Sequence, residues 1–142
     1  MHEYTSTCRV WELLLPGLPE EVSRARRWTR DLLHDTPCAD DAALIVTELG
    51  ANAITHTTSR TLRITITVAT EGVTIAVTDT GRSNTSPRIH QADDHSIHGR
   101  GLSIVATLAA QLTVTPTPQG HTVTAHLPTE AAHRPHALAR SC

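Results

Sequence analysis

Two neighbouring stretches of alternating residues constrain the fold of this chain more than any other feature. In "TLRITITVA" the apolar residues Leu62, Ile64, Ile66 and Val68 take every second position, and "VTIAVTD" repeats the pattern from Val73. A period of two is typical of a β-strand with one buried face. The intervening "EG" predicts a turn, so we expect a hairpin. Threonine fills most of the opposite face, where its β-branched side chain suits a pleated surface.

The remaining segments alternate between helical and extended patterns. "CRVWELLLP" predicts a strand ending at Pro16, "PEEVSRARRWTRDLLHD" a helix from Pro19, and "ADDAALIVTELGANAITH" a second helix. "GRGLSIVATLAAQL" predicts a third helix, and "LTVTPTPQGHTVTAHLP" two strands around a Pro/Gly turn. This order favours an α+β fold, a two-layer sandwich with three main helices over one face of a mixed, mostly antiparallel sheet.

The length of 142 residues is that of one ordinary domain. We expect a flexible N-terminus over residues 1–7, a folded domain over 8–128 and an unpacked tail over 129–142. Residues 82–98 are polar and aperiodic, which indicates a long loop that is functional or mobile. The N-terminus has neither a basic start nor a long apolar run, so we expect no signal peptide, no membrane span and a cytoplasmic location.

Charge and composition exclude several function classes. The formal net charge of -2 argues against a dedicated nucleic-acid binder. The chain has no lysine, so neither a Walker-type phosphate loop nor a eukaryotic-type protein kinase site is present. Cys8, Cys38 and Cys142 are odd in number and far apart, so their spacing signals neither a disulfide framework nor a zinc site.

Polar residues interrupt the apolar face of the second predicted helix. In "ELGANAITH", Asn52 and His56 point almost the same way as Ile45 and Leu49, and Glu48 lies at the edge of that face. Burying polar groups without partners costs roughly 1 to 3 kcal/mol each, so these residues need a binding partner or a function.

Two glycine motifs follow downstream. "DTG" comes at the end of the second hairpin strand, and "GRG" opens the third predicted helix. Each motif alone also fits a plain turn or a helix cap. In this order, the three motifs together resemble the ATP-binding boxes of the GHKL ATPase superfamily, which includes gyrase and the sensor histidine kinases. The likeness spans about Leu13 to Pro128 and is greatest for the small, single-domain anti-sigma-factor serine/threonine kinases of actinobacteria.

The resemblance implies roles for the helix box. Glu48 matches the family's general base, and Asn52 matches the residue whose side-chain oxygen binds Mg²⁺, a cation that prefers oxygen ligands. A carboxylate one turn before the metal ligand can accept a proton from a nucleophile that approaches the γ-phosphate. His56 matches a phosphate-site position, although a histidine at a helix C-terminus also favours the helix dipole.

The second box places the adenine base. Asp79 matches the aspartate that accepts a hydrogen bond from the adenine amine, and Gly81 would let the base approach the backbone. Ser83 stands where many members have a second glycine, which puts in doubt how the loop closes. Thr122 matches a threonine near the adenine-binding aspartate, or else it is another threonine on the sheet surface.

The third box places the phosphates. Gly99 and Gly101, with Leu102 after them, would expose backbone N–H groups at a helix start, where the dipole favours a triphosphate. Arg100 is then the candidate cation, unless it points into solvent. The resemblance makes the 82–98 loop a nucleotide lid. The alternative for that loop, a transition-metal site, would use His90, Asp93, Asp94, His95 and His98.

Two functions follow from the resemblance. The first is an ATP- and Mg²⁺-dependent serine/threonine protein kinase that acts as an anti-sigma factor, binds a sigma factor and phosphorylates an antagonist protein. The alternative is a regulatory module whose bound nucleotide gates partner binding with little phosphoryl transfer. Four arginines of the first helix, Arg24, Arg26, Arg27 and Arg30, form either a solvated basic face or a contact for an acidic protein. A homodimer is possible on the sequence, and no direct nucleic-acid partner is expected.

Overall fold

The computed structural model describes residues 8–56, 61–80, 105, 108–109 and 111–128. The helices and strands in chain order are β1 (Arg9–Pro16), α1 (Pro19–Leu32), α2 (Ala39–His56), β2 (Thr61–Ala69), β3 (Gly72–Asp79), β4 (Gln111–Pro116) and β5 (His121–Pro128). The predicted hairpin is confirmed, because β2 and β3 pair around a turn at residues 70–71. The expectations for residues 1–7, 82–98 and 129–142 lie outside the described residues.

The five strands form one sheet in the order β1-β2-β3-β5-β4. Every pairing among the described strands is antiparallel, so the expectation of a mixed sheet is wrong for this part of the chain. The strand β5 returns beside β3, which makes β3 central and leaves β1 and β4 at the edges. The end of β3 is therefore flanked by a strand on either side.

The two faces of the sheet differ sharply, and we call them the inner and the outer face. The inner face packs beneath the helices, and its residues Leu62, Ile64, Ile66, Val73 and Ile75 have no exposed surface. They form one core with residues of α2 and of β5. The outer face consists largely of half-buried or exposed threonines: Thr65, Thr67, Thr74, Thr78, Thr113, Thr115, Thr122 and Thr124. This alternation agrees with the pattern in the sequence.

Helix α1 starts where the sequence predicts it and ends earlier. Pro19 and the acidic residues Glu20 and Glu21 form its first turn, a composition that suits the positive end of the helix dipole. The helix ends at Leu32, three residues before the predicted end. The hydroxyl of Thr36 donates a hydrogen bond of 2.9 Å to the carbonyl of Leu33, which closes the turn beyond the helix.

Two helices, rather than the predicted three, are present among the described residues. Most of the third predicted helix, from Gly99 onward, lies outside them. Its described residues Val105 and Leu108 are helical, and the Ala109 N–H donates a hydrogen bond of 2.8 Å to the Val105 carbonyl. Val105 is fully buried in the core. Gln111, which the prediction placed in the helix, begins β4 instead.

Cys38 is buried and disulfide-bonded, whereas Cys8 is an exposed free thiol. Nothing in the spacing of the cysteines predicted this disulfide, because its formation depends on which parts of the chain the fold brings together. Neither α1 nor α2 combines the length and the apolar character that crossing a bilayer requires.

Candidate nucleotide-binding site

Helix α2 carries the first part of the candidate site. Ile45 and Leu49 are buried against the sheet, with 0 % and 1 % of their surface exposed. Glu48 and Asn52 lie one helical turn apart, since residues four apart are neighbours on a helix surface. The helix packs mainly against α1, and among the strands it contacts β3 most and also β2 and β5. It therefore carries both polar side chains over the sheet.

Asn52 is the polar residue of α2 that most needs explanation. Its side chain is buried, with 8 % exposed, and its Oδ1 accepts no hydrogen bond from the described residues. An unsatisfied buried carbonyl costs roughly 1 to 3 kcal/mol, so such an atom usually has a functional partner. A carboxamide oxygen is a ligand that Mg²⁺ accepts. The residue therefore fits the metal-binding role that the family resemblance implies for it.

Glu48 is half-buried. It lies between the core-facing stripe and the solvent-facing side of α2, so its carboxylate can reach a ligand held above the sheet. The structure thus brings Glu48 and Asn52 together on one helix, as the spacing predicts. His56 is the last residue of α2. Its predicted phosphate-site role concerns a side chain that lies outside the described part of the structure.

Asp79 provides the second part of the site, at the end of the central strand β3. Only 3 % of its surface is exposed, and its position continues the inner face after Val73, Ile75 and Val77. A carboxylate at the end of an apolar face, with strands on both sides, accepts hydrogen bonds without being able to donate any when it is ionised. This is the environment expected for a residue that recognises a donor on a ligand.

The register across the sheet shows which residues lie beside Asp79. One row of paired residues crosses all five strands at this end of the inner face, and we call it the end row: Leu15, Leu62, Asp79, His121 and Pro116. His121 is directly opposite Asp79 and is buried, with 9 % exposed. His121 is not among the residues predicted from the sequence, although its position in phase with Val123, Ala125 and Leu127 was a usable signal.

Gly120 explains how closely the chain approaches Asp79. A Cβ placed on Gly120 would meet the carbonyl oxygen of Asp79 and would lie 2.5 Å from its Oδ1. Such a distance is shorter than any real Cβ contact, so a side chain at residue 120 would displace the aspartate. The glycine lets the start of β5 lie directly against the Asp79 carboxylate. Gly120 is not among the residues predicted from the sequence either.

Thr122 lies on the other side of the sheet. Its hydroxyl makes a hydrogen bond of 2.9 Å with the hydroxyl of Thr78, its partner on the outer face. Because successive residues of a strand point to opposite faces, Thr122 is not brought to the side of Asp79. The structure supports its other interpretation, a threonine on the sheet surface.

The remaining predicted residues, Gly81, Gly99, Arg100, Gly101 and Leu102, lie outside the described residues. The histidines and aspartates of the alternative metal site in the 82–98 loop do so too. Within the described part of the chain, no three His, Cys, Asp or Glu residues cluster as metal ligands.

A helix with a carboxylate and an unsatisfied amide, packed over a sheet that ends in a buried carboxylate, fits a nucleotide-binding domain. The sequence profile described as "Histidine kinase-like ATPase domain" matches residues 15–127. The chain belongs to this family, and ATP binding follows from membership. None of the curated proteins compared with the chain matches it.

Proposed function

We propose that this protein is an ATP- and Mg²⁺-dependent serine/threonine protein kinase that acts as an anti-sigma regulatory factor. The observation that carries the proposal is the unsatisfied, buried oxygen of Asn52, one turn from the half-buried Glu48 on a helix that packs on β3. Asp79 ends that strand, so the groups needed for the metal, the adenine base and the proton transfer belong to packed elements.

Asn52 would hold Mg²⁺ through its Oδ1. The bound ion would neutralise charge on the β- and γ-phosphates of ATP, with phosphates and water completing its coordination. The burial of Asn52 holds the side chain in place, so the oxygen is preorganised for a ligand.

Glu48 would act as the general base. The hydroxyl oxygen of a serine or threonine of the partner forms a bond with the γ-phosphorus of ATP, and the bond from that phosphorus to the bridging oxygen breaks. ADP leaves with the electron pair of that bond, and the Glu48 carboxylate accepts the hydroxyl proton. A protein that only bound nucleotide would have no need of this carboxylate.

Asp79 would select adenine. Its carboxylate accepts a hydrogen bond from the exocyclic amine, whereas guanine presents a carbonyl oxygen at the same place. The family resemblance supports the same role and assigns the triphosphate to the Gly99–Leu102 segment and the lid to residues 82–98.

The partners would be a sigma factor and an antagonist protein that carries the phosphorylated hydroxyl. The exposed arginines of α1 support a contact with an acidic protein surface. Arg24 and Arg30 form ion pairs at 3.4 Å with Glu21 and 3.2 Å with Asp40, whereas Arg26 and Arg27 are exposed beside them. The net charge of -2 gives no support for binding nucleic acid directly.

Replacement of Glu48 by Gln tests the kinase function. The carboxamide has the same shape but cannot serve as the base, so phosphoryl transfer should fall by roughly 10² to 10⁴. ATP affinity should stay nearly unchanged. The measurement is transfer of label from γ-labelled ATP to proteins that co-purify with the chain, with binding followed by calorimetry. Glu71→Gln, on the exposed turn between β2 and β3, is the matched control.

If the wild-type chain transfers no label to any partner that it binds, the kinase function is wrong. The nucleotide-gated regulatory module then takes its place, because that function needs Asp79 and Asn52 but not Glu48.

Replacement of Asn52 by Ala tests the metal site. Loss of an oxygen that binds the ion should weaken Mg²⁺-ATP by roughly tenfold or more, the scale of a hydrogen bond to a charged group. Binding of ATP in the presence of EDTA should change much less. Calorimetry under both conditions measures the difference. Equal losses with and without Mg²⁺ would show that Asn52 has only a structural role.

A further inference from the structure

The end row contains two polar residues, whereas the two rows beside it on the inner face are apolar. The next two rows consist of Leu13, Ile64, Val77, Val123 and Val114, and of Trp11, Ile66, Ile75, Ala125 and Leu112. Asp79 and His121 break this pattern side by side, and both are buried. Directly opposite residues on one face of an antiparallel pair have Cβ atoms about 4.5 to 5.5 Å apart. Their side chains can therefore converge on one small ligand group.

The turn before β5 holds His121 in place. The Thr117 N–H donates a hydrogen bond of 2.9 Å to the Gly120 carbonyl, and the Gly120 N–H donates one of 2.9 Å to the Thr117 hydroxyl. Gly120 itself packs against Asp79. The backbone of His121 is paired with β3 on one side and with β4 on the other. The imidazole is thus attached to a rigid part of the sheet, as a specificity residue needs to be.

We infer that His121 is a second base-recognition residue and donates a ring N–H to the ring nitrogen N1 of adenine, next to the amine that Asp79 binds. This inference rests on the proposed function, in which Asp79 receives adenine. Neutral imidazole carries one N–H donor, and an ionised carboxylate only accepts. Adenine presents a donor, its amine, beside an acceptor, N1. The pair Asp79 and His121 therefore complements that edge in both positions.

The same pair is mismatched to guanine in both positions. Guanine presents its carbonyl oxygen to the carboxylate and a ring N–H to the imidazole donor. A site that is built to hydrogen-bond one pattern rejects the reversed pattern because its buried polar groups stay unpaired. With His121, two residues would distinguish adenine from guanine, where Asp79 alone would provide one.

The test combines variants of the chain with analogues of ATP in calorimetric titrations. In 1-deaza-ATP the N1 acceptor is replaced by C–H, and purine riboside triphosphate lacks the amine. The variants are His121→Leu, which removes the donor, and His121→Gln, which retains an N–H donor. His126→Leu is the matched control, because His126 lies on the same strand but on the outer face, with its Nδ1 3.1 Å from the Thr74 hydroxyl. Thermal unfolding monitors the fold of each variant.

Wild type should bind ATP about 3- to 10-fold more tightly than 1-deaza-ATP, the effect of one net hydrogen bond. His121→Leu should lose this preference and keep the preference for ATP over purine riboside triphosphate. His121→Gln should retain part of it, and His126→Leu all of it.

Equal affinity of wild type for ATP and 1-deaza-ATP would overturn the inference without the need for any variant. So would a His121→Leu protein that still distinguishes the two, or one that loses the preference for the amine instead, since His121 would then only position Asp79. In each of these cases ATP still binds and the proposed function stands. A wild-type chain that binds no ATP would contradict the proposed function itself, and the inference with it.

Discussion

The inner and outer faces of the sheet are built from the same strands, yet their polar residues differ in how they are paired and in what they indicate about function. On the outer face, threonines lie beside one another and satisfy their hydroxyls locally, as Thr78 does with Thr122 at 2.9 Å. Thr74 does so with the imidazole of His126 at 3.1 Å. On the inner face, polar residues occur at the end row, where Asp79 and His121 lie among buried apolar residues.

The face on which a polar residue lies therefore says more about its function than its residue type does. Both faces carry a histidine on β5, but His126 is half-buried on the outer face and His121 is buried on the inner face. A polar group on a solvated face costs little and carries little functional information, whereas one on a buried face must be compensated. The buried histidine is therefore the better candidate for a functional residue.

The largest expected difference between the faces is in stability. Ile64 is fully buried, so Ile64→Ala should lower the free energy of unfolding by about 2 to 5 kcal/mol. Its neighbour Thr65 lies on the outer face, and Thr65→Ala should cost less than about 1 kcal/mol. Urea denaturation of both variants measures the two values. Similar losses for both would show that the outer face is covered in solution and that the contrast is wrong.

Much of the fold was predictable because local patterns determine it. The alternation from Leu62 to Asp79 predicts β2 and β3 with their buried face, and the apolar stripe of α2 predicts the helix that carries Glu48 and Asn52. These two polar residues interrupt the apolar stripe, which indicates a function for them. The unsatisfied oxygen of Asn52 agrees with that interpretation. Periodicity is a local property, so the sequence displays it directly.

The neighbours of Asp79 were not predictable in the same way. The phase of β5 places His121 on the buried face, but only the sheet order places β5 beside β3. That order depends on contacts between residues far apart in the chain, as in the pairing of Asp79 with His121. The resemblance pointed to Thr122, one residue away, and a shift of one residue changes the face of a strand.

Most residues of the outer face should tolerate substitution, as expected for Thr65, but Gly72 is an exception. It alternates in phase with the threonines, but its φ is 141°, a conformation that side chains rarely adopt. A Cβ there would meet the Leu127 carbonyl and lie 2.7 Å from the Cα of Pro128. Gly72→Ala should therefore destabilise the protein by roughly 1 to 3 kcal/mol, the usual cost of a strained backbone conformation.

Thermal and urea unfolding measure this effect, with Glu71→Ala on the exposed turn as the control that should change little. If Gly72→Ala were as stable as wild type, the close approach of β3 and β5 at that end would be relaxed in solution. The outer face would then be tolerant throughout.

The smallest expected effect separates the two interpretations of Thr122. If Thr122 is a threonine of the sheet surface, Thr122→Ala removes one partly exposed hydroxyl pair and should cost about 0.5 to 1.5 kcal/mol of stability. The affinity for ATP should stay unchanged, because the side chain lies on the face opposite Asp79.

Thr78→Ala should cost a similar amount of stability, and the double variant should cost less than the sum of the two, since both changes remove the same hydrogen bond. Urea denaturation and ATP calorimetry on the three variants provide the values. A loss of ATP affinity in Thr122→Ala, with Thr78→Ala unaffected, would place Thr122 in the nucleotide site and remove the distinction between the two faces at that end of β5.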